Sequence, residues 1–181
     1  MVINPGVECT IMTDIFKEEN MRQLLQVKGT VTPQCSKSHI TYTFNLKGES
    51  RRLKTSFSYE PKSLEHIPSA QKIICRELKH YIQEEDLQQY LNNWKVFLPL
   101  NNLITLSFDD SACFRGCAHR HDHDQLLIIS ESMASPGLVP GRIPSGLFKI
   151  TLSIHAIVTD ICNYSLQVWE GDETSDQMGT F

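Results

Sequence analysis

Ile40-Thr41-Tyr42-Thr43-Phe44-Asn45-Leu46 alternates apolar and polar side chains at every step. Successive side chains of a strand point to opposite faces, so this stretch reads as a β-strand with one face buried and the other wet. Neighbouring strands are expected over Leu24 to Val31 and Lys54 to Tyr59, set apart by turn-forming stretches that contain Pro33 and Gly48. Period two returns downstream. Ile104, Leu106 and Phe108 form one face of a segment from Leu103 to Phe108, and Gln125 to Ser130 holds the run Leu126-Leu127-Ile128-Ile129. Phe148, Ile150, Leu152 and Ile154 alternate in the next segment, and Tyr164, Leu166 and Val168 in the last.

One region keeps a different period. After Ser69, a residue suited to cap a helix, Ile73, Ile74, Leu78, Tyr81 and Ile82 recur at helical spacing, which predicts a helix over 69–84 packed by its apolar stripe on a sheet. A second short helix is expected from Glu85 to Leu91, with Leu87, Tyr90 and Leu91 inward. Seven or eight short strands with one helical insertion over about 69–91 make a mainly β chain: an antiparallel β-sandwich, jelly-roll or Ig-like, and not a parallel βαβ fold. A single domain over 1–170 is expected, followed by a loose acidic tail over 171–181.

Composition narrows the function classes. The 181 residues carry 21 acidic and 17 basic side chains, a formal net charge of -4, and the Lys and Arg residues form no run or stripe. A nucleic-acid partner, which needs a basic footprint, is disfavoured. No stretch approaches the ~20 apolar residues of a membrane span, and Met1-Val2-Ile3-Asn4-Pro5 lacks the regions of a secretory signal, so the expected location is the cytoplasm. The six cysteines, Cys9, Cys35, Cys75, Cys113, Cys117 and Cys162, contain no C-x-x-C pair and are expected to be reduced and mostly buried.

The densest chemistry lies between Cys113 and Asp124, where Cys113, Cys117, His119, His121, His123, Asp122 and Asp124 fall within a dozen residues. In an extended chain His119, His121 and His123 share one face, and imidazoles with thiolates suit zinc. The spacing departs from both the H-x-H-x-D-H of metallo-β-lactamase-like hydrolases and the H-x-H with a nearby Glu of cupins, Glu131 lying eight residues after His123. A solvated hairpin tip is the preferred reading. A metal-binding protein or metal-dependent hydrolase, with zinc held by Cys113 or Cys117 and two of the three histidines, is the alternative. No G-x-S-x-G elbow or phosphate loop is present, so no catalytic residue or further cofactor is assigned. Trp94 and Trp169 are expected in the core, although exposed aromatics would suit a small-ligand or carbohydrate-binding module.

Between Ser135 and Gly146, the loop residues Pro136, Gly137, Pro140, Gly141, Pro144 and Gly146 forbid helix and regular ladder and predict a rigid, shaped connection. Leu106-Ser107-Phe108-Asp109-Asp110, Phe114-Arg115-Gly116, and Ala134-Ser135-Pro136-Gly137-Leu138-Val139-Pro140-Gly141-Arg142-Ile143-Pro144-Ser145-Gly146-Leu147-Phe148 together resemble the N-terminal β-sandwich of the CehA/McbA, carbaryl-hydrolase-type PHP metallohydrolases. That family follows "DP-G-x-x-RG" with "A-T-P-G-Y-x-P-G-P-I-P-x-G-x-W"; here Ser135 replaces Thr, Leu138 Tyr, Arg142 Pro and Phe148 Trp. The likeness extends back through Phe57-Ser58-Tyr59-Glu60-Pro61. It implies a β-sandwich without the catalytic barrel that opens with "G-D-L-H-x-H-S", hence a non-catalytic accessory or interaction domain. The implied partner is a PHP-type hydrolase domain or a second copy of the chain.

Overall fold

The structure is a computed structural model and describes residues 21–119 and 121–171. Eight strands run in chain order: β1 (Arg22–Val31), β2 (Ser38–Leu46), β3 (Arg52–Glu60), β4 (Leu103–Asp109), β5 (Phe114–Ala118), β6 (Asp124–Ser130), β7 (Gly146–Ala156) and β8 (Cys162–Gly171). They form two four-stranded antiparallel sheets, ordered β1-β8-β3-β6 and β2-β7-β4-β5. The mainly β sandwich that the alternation predicts is what the chain forms. β5 is the strand the pattern missed, because Gly116 and Arg115 interrupt its alternation. The expected acidic tail begins beyond β8, which takes in Gly171; residues 172–181, like Cys9, lie outside the described residues.

The inward residues of the two sheets build one core. Phe57 and Leu166 from one sheet and Ile104, Ile150 and Leu152 from the other are fully buried. Phe44 stacks on Phe148 at 5.2 Å between ring centres, and Phe108 meets Phe148 edge-on at 6.5 Å, geometries that aromatic rings favour. Tyr42 and Tyr164 join their hydroxyls between the sheets at 2.6 Å. Burial, with the Tyr42 hydroxyl adding to it, pushes the Tyr164 phenol well above its ordinary range.

The helical insertion differs from expectation in its start and in its packing. Helix α1 spans Ile67–Tyr81 and begins after His66, with a proline in its first turn; Ser69 instead joins His66 through its hydroxyl at 2.8 Å. Pro68 fits there because the first helical N–H groups have no partner within the helix. Helix α2 spans Glu84–Asn92, and a 3-10 turn follows over Trp94–Phe97. Ile74, Leu78 and Trp94 form a cluster with Leu87, Leu91 and Leu98 that is separate from the sandwich core. The apolar stripe therefore closes on its own hairpin and not on a sheet. Leu64 N–H donates to the Leu100 carbonyl and Asn102 N–H to the Lys62 carbonyl, which makes a short stem between hairpin and sandwich. Among the described residues no helix is long and apolar enough to cross a membrane.

Candidate functional site

Of the two expected locations of interest, the Pro/Gly loop is the more highly organised. Arg115 lies at the end of β5 with its side chain almost wholly buried, and its guanidinium donates to the Asp110 carboxylate at 3.2 Å, the Arg142 carbonyl at 3.0 Å and the Gly141 carbonyl at 2.9 Å. The other Asp110 oxygen accepts the backbone N–H groups of Ala112 and Cys113, both at 2.7 Å. One buried ion pair thus ties the β4–β5 turn to the loop before β7. A buried charge needs such a partner and further hydrogen bonds to be tolerated; here both terminal nitrogens are supplied, while the buried Nε has no partner among the described residues.

The loop is also pinned along its length. Ser135 N–H donates to the Ile128 carbonyl, Val139 N–H to the Arg115 carbonyl, Gly141 N–H to the Ser130 carbonyl and Ser50 N–H to the Ile143 carbonyl. Leu138 and Ile143 drop into the sandwich core. The backbones of Gly116 and Gly137 touch where β5 passes the loop, both at positive φ, +106° and +90°. A Cβ on either would run into the other strand's carbonyl oxygen, at Gly137 or Cys117 respectively. The residues of the loop and of the Asp110–Gly116 segment are therefore structural parts of one closure.

The histidine segment has a different character. β5 belongs to one sheet and β6 to the other, so 119–123 is a crossover between sheets and not a hairpin tip. His119, His121 and His123 are exposed, as is Cys113, while Cys117 is half-buried on β5. The segment is held through its carbonyls: Lys62 Nζ donates to that of His121, Gln125 Nε2 to that of Asp122 at 2.7 Å, and Tyr59 N–H to that of His123 at 2.8 Å. The His123 ring meets Tyr59 edge-on at 6.3 Å. Among the described residues no three His, Cys, Asp or Glu side chains stand close enough to hold a metal ion together. Burial, with the Asp109 charge adding to it, pushes the Cys117 thiol up, away from the thiolate form that ligates zinc.

Two further features were not anticipated. Asn102 is fully buried where the stem of the helical hairpin meets the sandwich, and its side chain is satisfied throughout. Nδ2 donates to the Pro61 carbonyl and the Thr159 hydroxyl, both at 2.8 Å, and Oδ1 accepts from Val158 and Thr159 N–H. The pair Asn101-Asn102 before a strand carries no pattern that signals such a hub. Trp169, expected in the core, instead faces outward and half-buried on β8, with the Lys54 ammonium 5.8 Å from its ring centre. The one-residue alternation after Val168 dictates that outward placement. Trp94 is buried, but in the helical cluster. Of the five described cysteines only Cys162 is fully buried, so the expectation of mostly buried thiols does not hold; all five are free, as expected. Neither a family model nor a curated protein sequence matches the chain.

Proposed function

We propose that the chain is a non-catalytic accessory β-sandwich of the kind that precedes the barrel in CehA/McbA-type PHP metallohydrolases, and that it serves such a hydrolase in the cytoplasm. One observation carries this reading. The residues on which the resemblance rests, Asp110, Arg115, Gly116, Gly137 and Gly141, are engaged in closing one end of the sandwich. A sequence pattern that serves closure marks a scaffold, because a guanidinium that is buried and bonded to a carboxylate and two carbonyls is closed to a substrate.

The test uses the full chain. Purified protein is assayed against nitrophenyl esters, carbamates and phosphate esters with zinc or manganese added, alone and mixed with a PHP-type hydrolase encoded beside it. The expected result is no turnover by the chain itself, and co-elution with the hydrolase or a change in its kcat/KM. Turnover by the chain alone that falls in His121→Ala and His123→Ala would replace this reading with the metal-dependent one.

A further inference from the structure

The outer face of the β1-β8-β3-β6 sheet carries polar side chains in register across its strands. Cross-strand register aligns Lys28, Ser165, Ser58 and Asp124 in one row across all four strands, and Thr30, Asn163 and Glu60 in the next. These rows, with His123 at one side, line a cleft of about 590 Å³, within the roughly 300–1,000 Å³ of small-ligand sites. Its walls mix apolar surface with polar groups in comparable amounts. They offer hydroxyls, an amide, one ammonium and two carboxylates, so donors and acceptors alternate at short range. The Thr30 hydroxyl donates to Asn163 Oδ1 at 2.9 Å, and the Asn163 NH₂ group adds two further donors.

The chemistry of the ligand follows from that lining. A phosphate or another anion would meet Glu60 and Asp124 against a single lysine. An apolar ligand would strand the hydroxyls without partners, at a cost of about 1–3 kcal/mol each where they are desolvated. A polyol satisfies both kinds of group, because each of its hydroxyls donates and accepts. On the same face, beyond the row of Gln26 and Gln167, Trp169 is half-exposed, with the Lys54 ammonium over one side of its ring. At about 3.3 Å per residue, it lies four residues and ~13 Å from Ser165, beyond the reach of one sugar ring. Aromatic faces pack against the C–H face of a pyranose as they do against other apolar surface.

We propose that the outer face of the β1-β8-β3-β6 sheet binds a neutral oligosaccharide, its hydroxyls in the cleft between Lys28 and Asp124 and a further ring against Trp169. The site is independent of any association with a hydrolase, and its test needs no partner. Maltohexaose, cellohexaose, xylohexaose and mannohexaose are titrated into the full chain by calorimetry and by NMR of the backbone amides. At least one binds with a Kd near or below about 1 mM and shifts the amides of Ser58, Asn163 and Ser165. Trp169→Ala and Asn163→Ala each weaken that binding by about tenfold or more, whereas Thr41→Ala, on the outer face of the other sheet, does not. Asn163 is exposed, so its variant keeps the test valid if loss of Trp169 disturbs folding. Absence of binding by all four at about 10 mM, undiminished binding in Asn163→Ala, or tighter binding of oligogalacturonate than of every neutral probe would overturn the proposal.

Discussion

Strand β6 is entered through one irregular segment and left through another, and the two are built on opposite terms. The crossover at 119–123 holds three imidazoles, yet it is tied down through its own carbonyls, by Lys62, Gln125 and Tyr59, and by the His123 ring against Tyr59. The loop at 135–146 holds few reactive groups, yet the carbonyls of Gly141 and Arg142 converge on the buried guanidinium of Arg115. Side-chain density along a sequence and organisation in space are thus separate properties. A segment rich in ligand-type residues forms a site only where the backbone brings them to one point, and an inter-sheet crossover spreads them instead.

The contrast can be broken most directly at Arg115. Arg115→Ala leaves the Asp110 carboxylate, 1% exposed, without its cation, and loss of one partner of a buried pair costs about 3–5 kcal/mol. Urea unfolding followed by tryptophan fluorescence is expected to show that loss, and a change under about 1 kcal/mol would mean that the pair behaves as a surface one. A smaller effect is expected at high pH. The thiols of Cys117 and Cys162 and the phenol of Tyr164 are all raised by burial in the folded chain. Stability from these groups is complete below their unfolded values, 9.0 for the thiols and 10.0 for the phenol. It falls as the pH rises through the folded values, because the unfolded chain ionises first. The urea midpoint should therefore drop steadily above about pH 9, and a midpoint that stays level there would contradict the shifts. The smallest effect belongs to the crossover. His121→Ala with His123→Ala should change stability by no more than about 0.5 kcal/mol, the range of surface substitutions. Metal content by elemental analysis should be the same in the variant and the parent. Stoichiometric zinc in the parent that disappears in the variant would make the crossover the organised segment and reverse the contrast.

The fold was legible because its strands obey one simple rule: the alternation at Ile40–Leu46 and at Phe148–Ile154 places buried residues on one face, as observed. The loop was legible as a shaped connection because its glycines take positive φ at Gly137, Gly141 and Gly146 and its prolines fix φ and donate no ladder hydrogen bond. What the loop grips was not legible. Asp110 and Arg115 lie five residues apart and pair, Arg115 also donates to the carbonyls of 141 and 142, and no local pattern encodes that meeting. β5 was hidden for a related reason, since an edge strand that carries a buried Arg and a positive-φ glycine lacks apolar alternation. Of the apolar stripe of α1, Ile74 and Leu78 are buried as read, whereas Tyr81, like Tyr90 on α2, is exposed, and period alone does not say against what the buried part packs. Its partners, Trp94 and Leu91, follow in the next few turns of the same insertion.

That local closure makes the hairpin between Lys62 and Asn102 a separate cooperative unit. Its apolar side chains contact each other, and its attachment to the rest is a two-stranded stem locked by one amide side chain. Units joined by so few contacts open below the free energy of global unfolding, so the helices should exchange their amide hydrogens while the sheets stay protected. The same architecture makes the hairpin removable: a short turn grafted onto the stem would leave both sheets, the Arg115 closure and the outer face of β8 in register. In that sense the chain is a sandwich that carries an appendage, and the two can vary independently of one another.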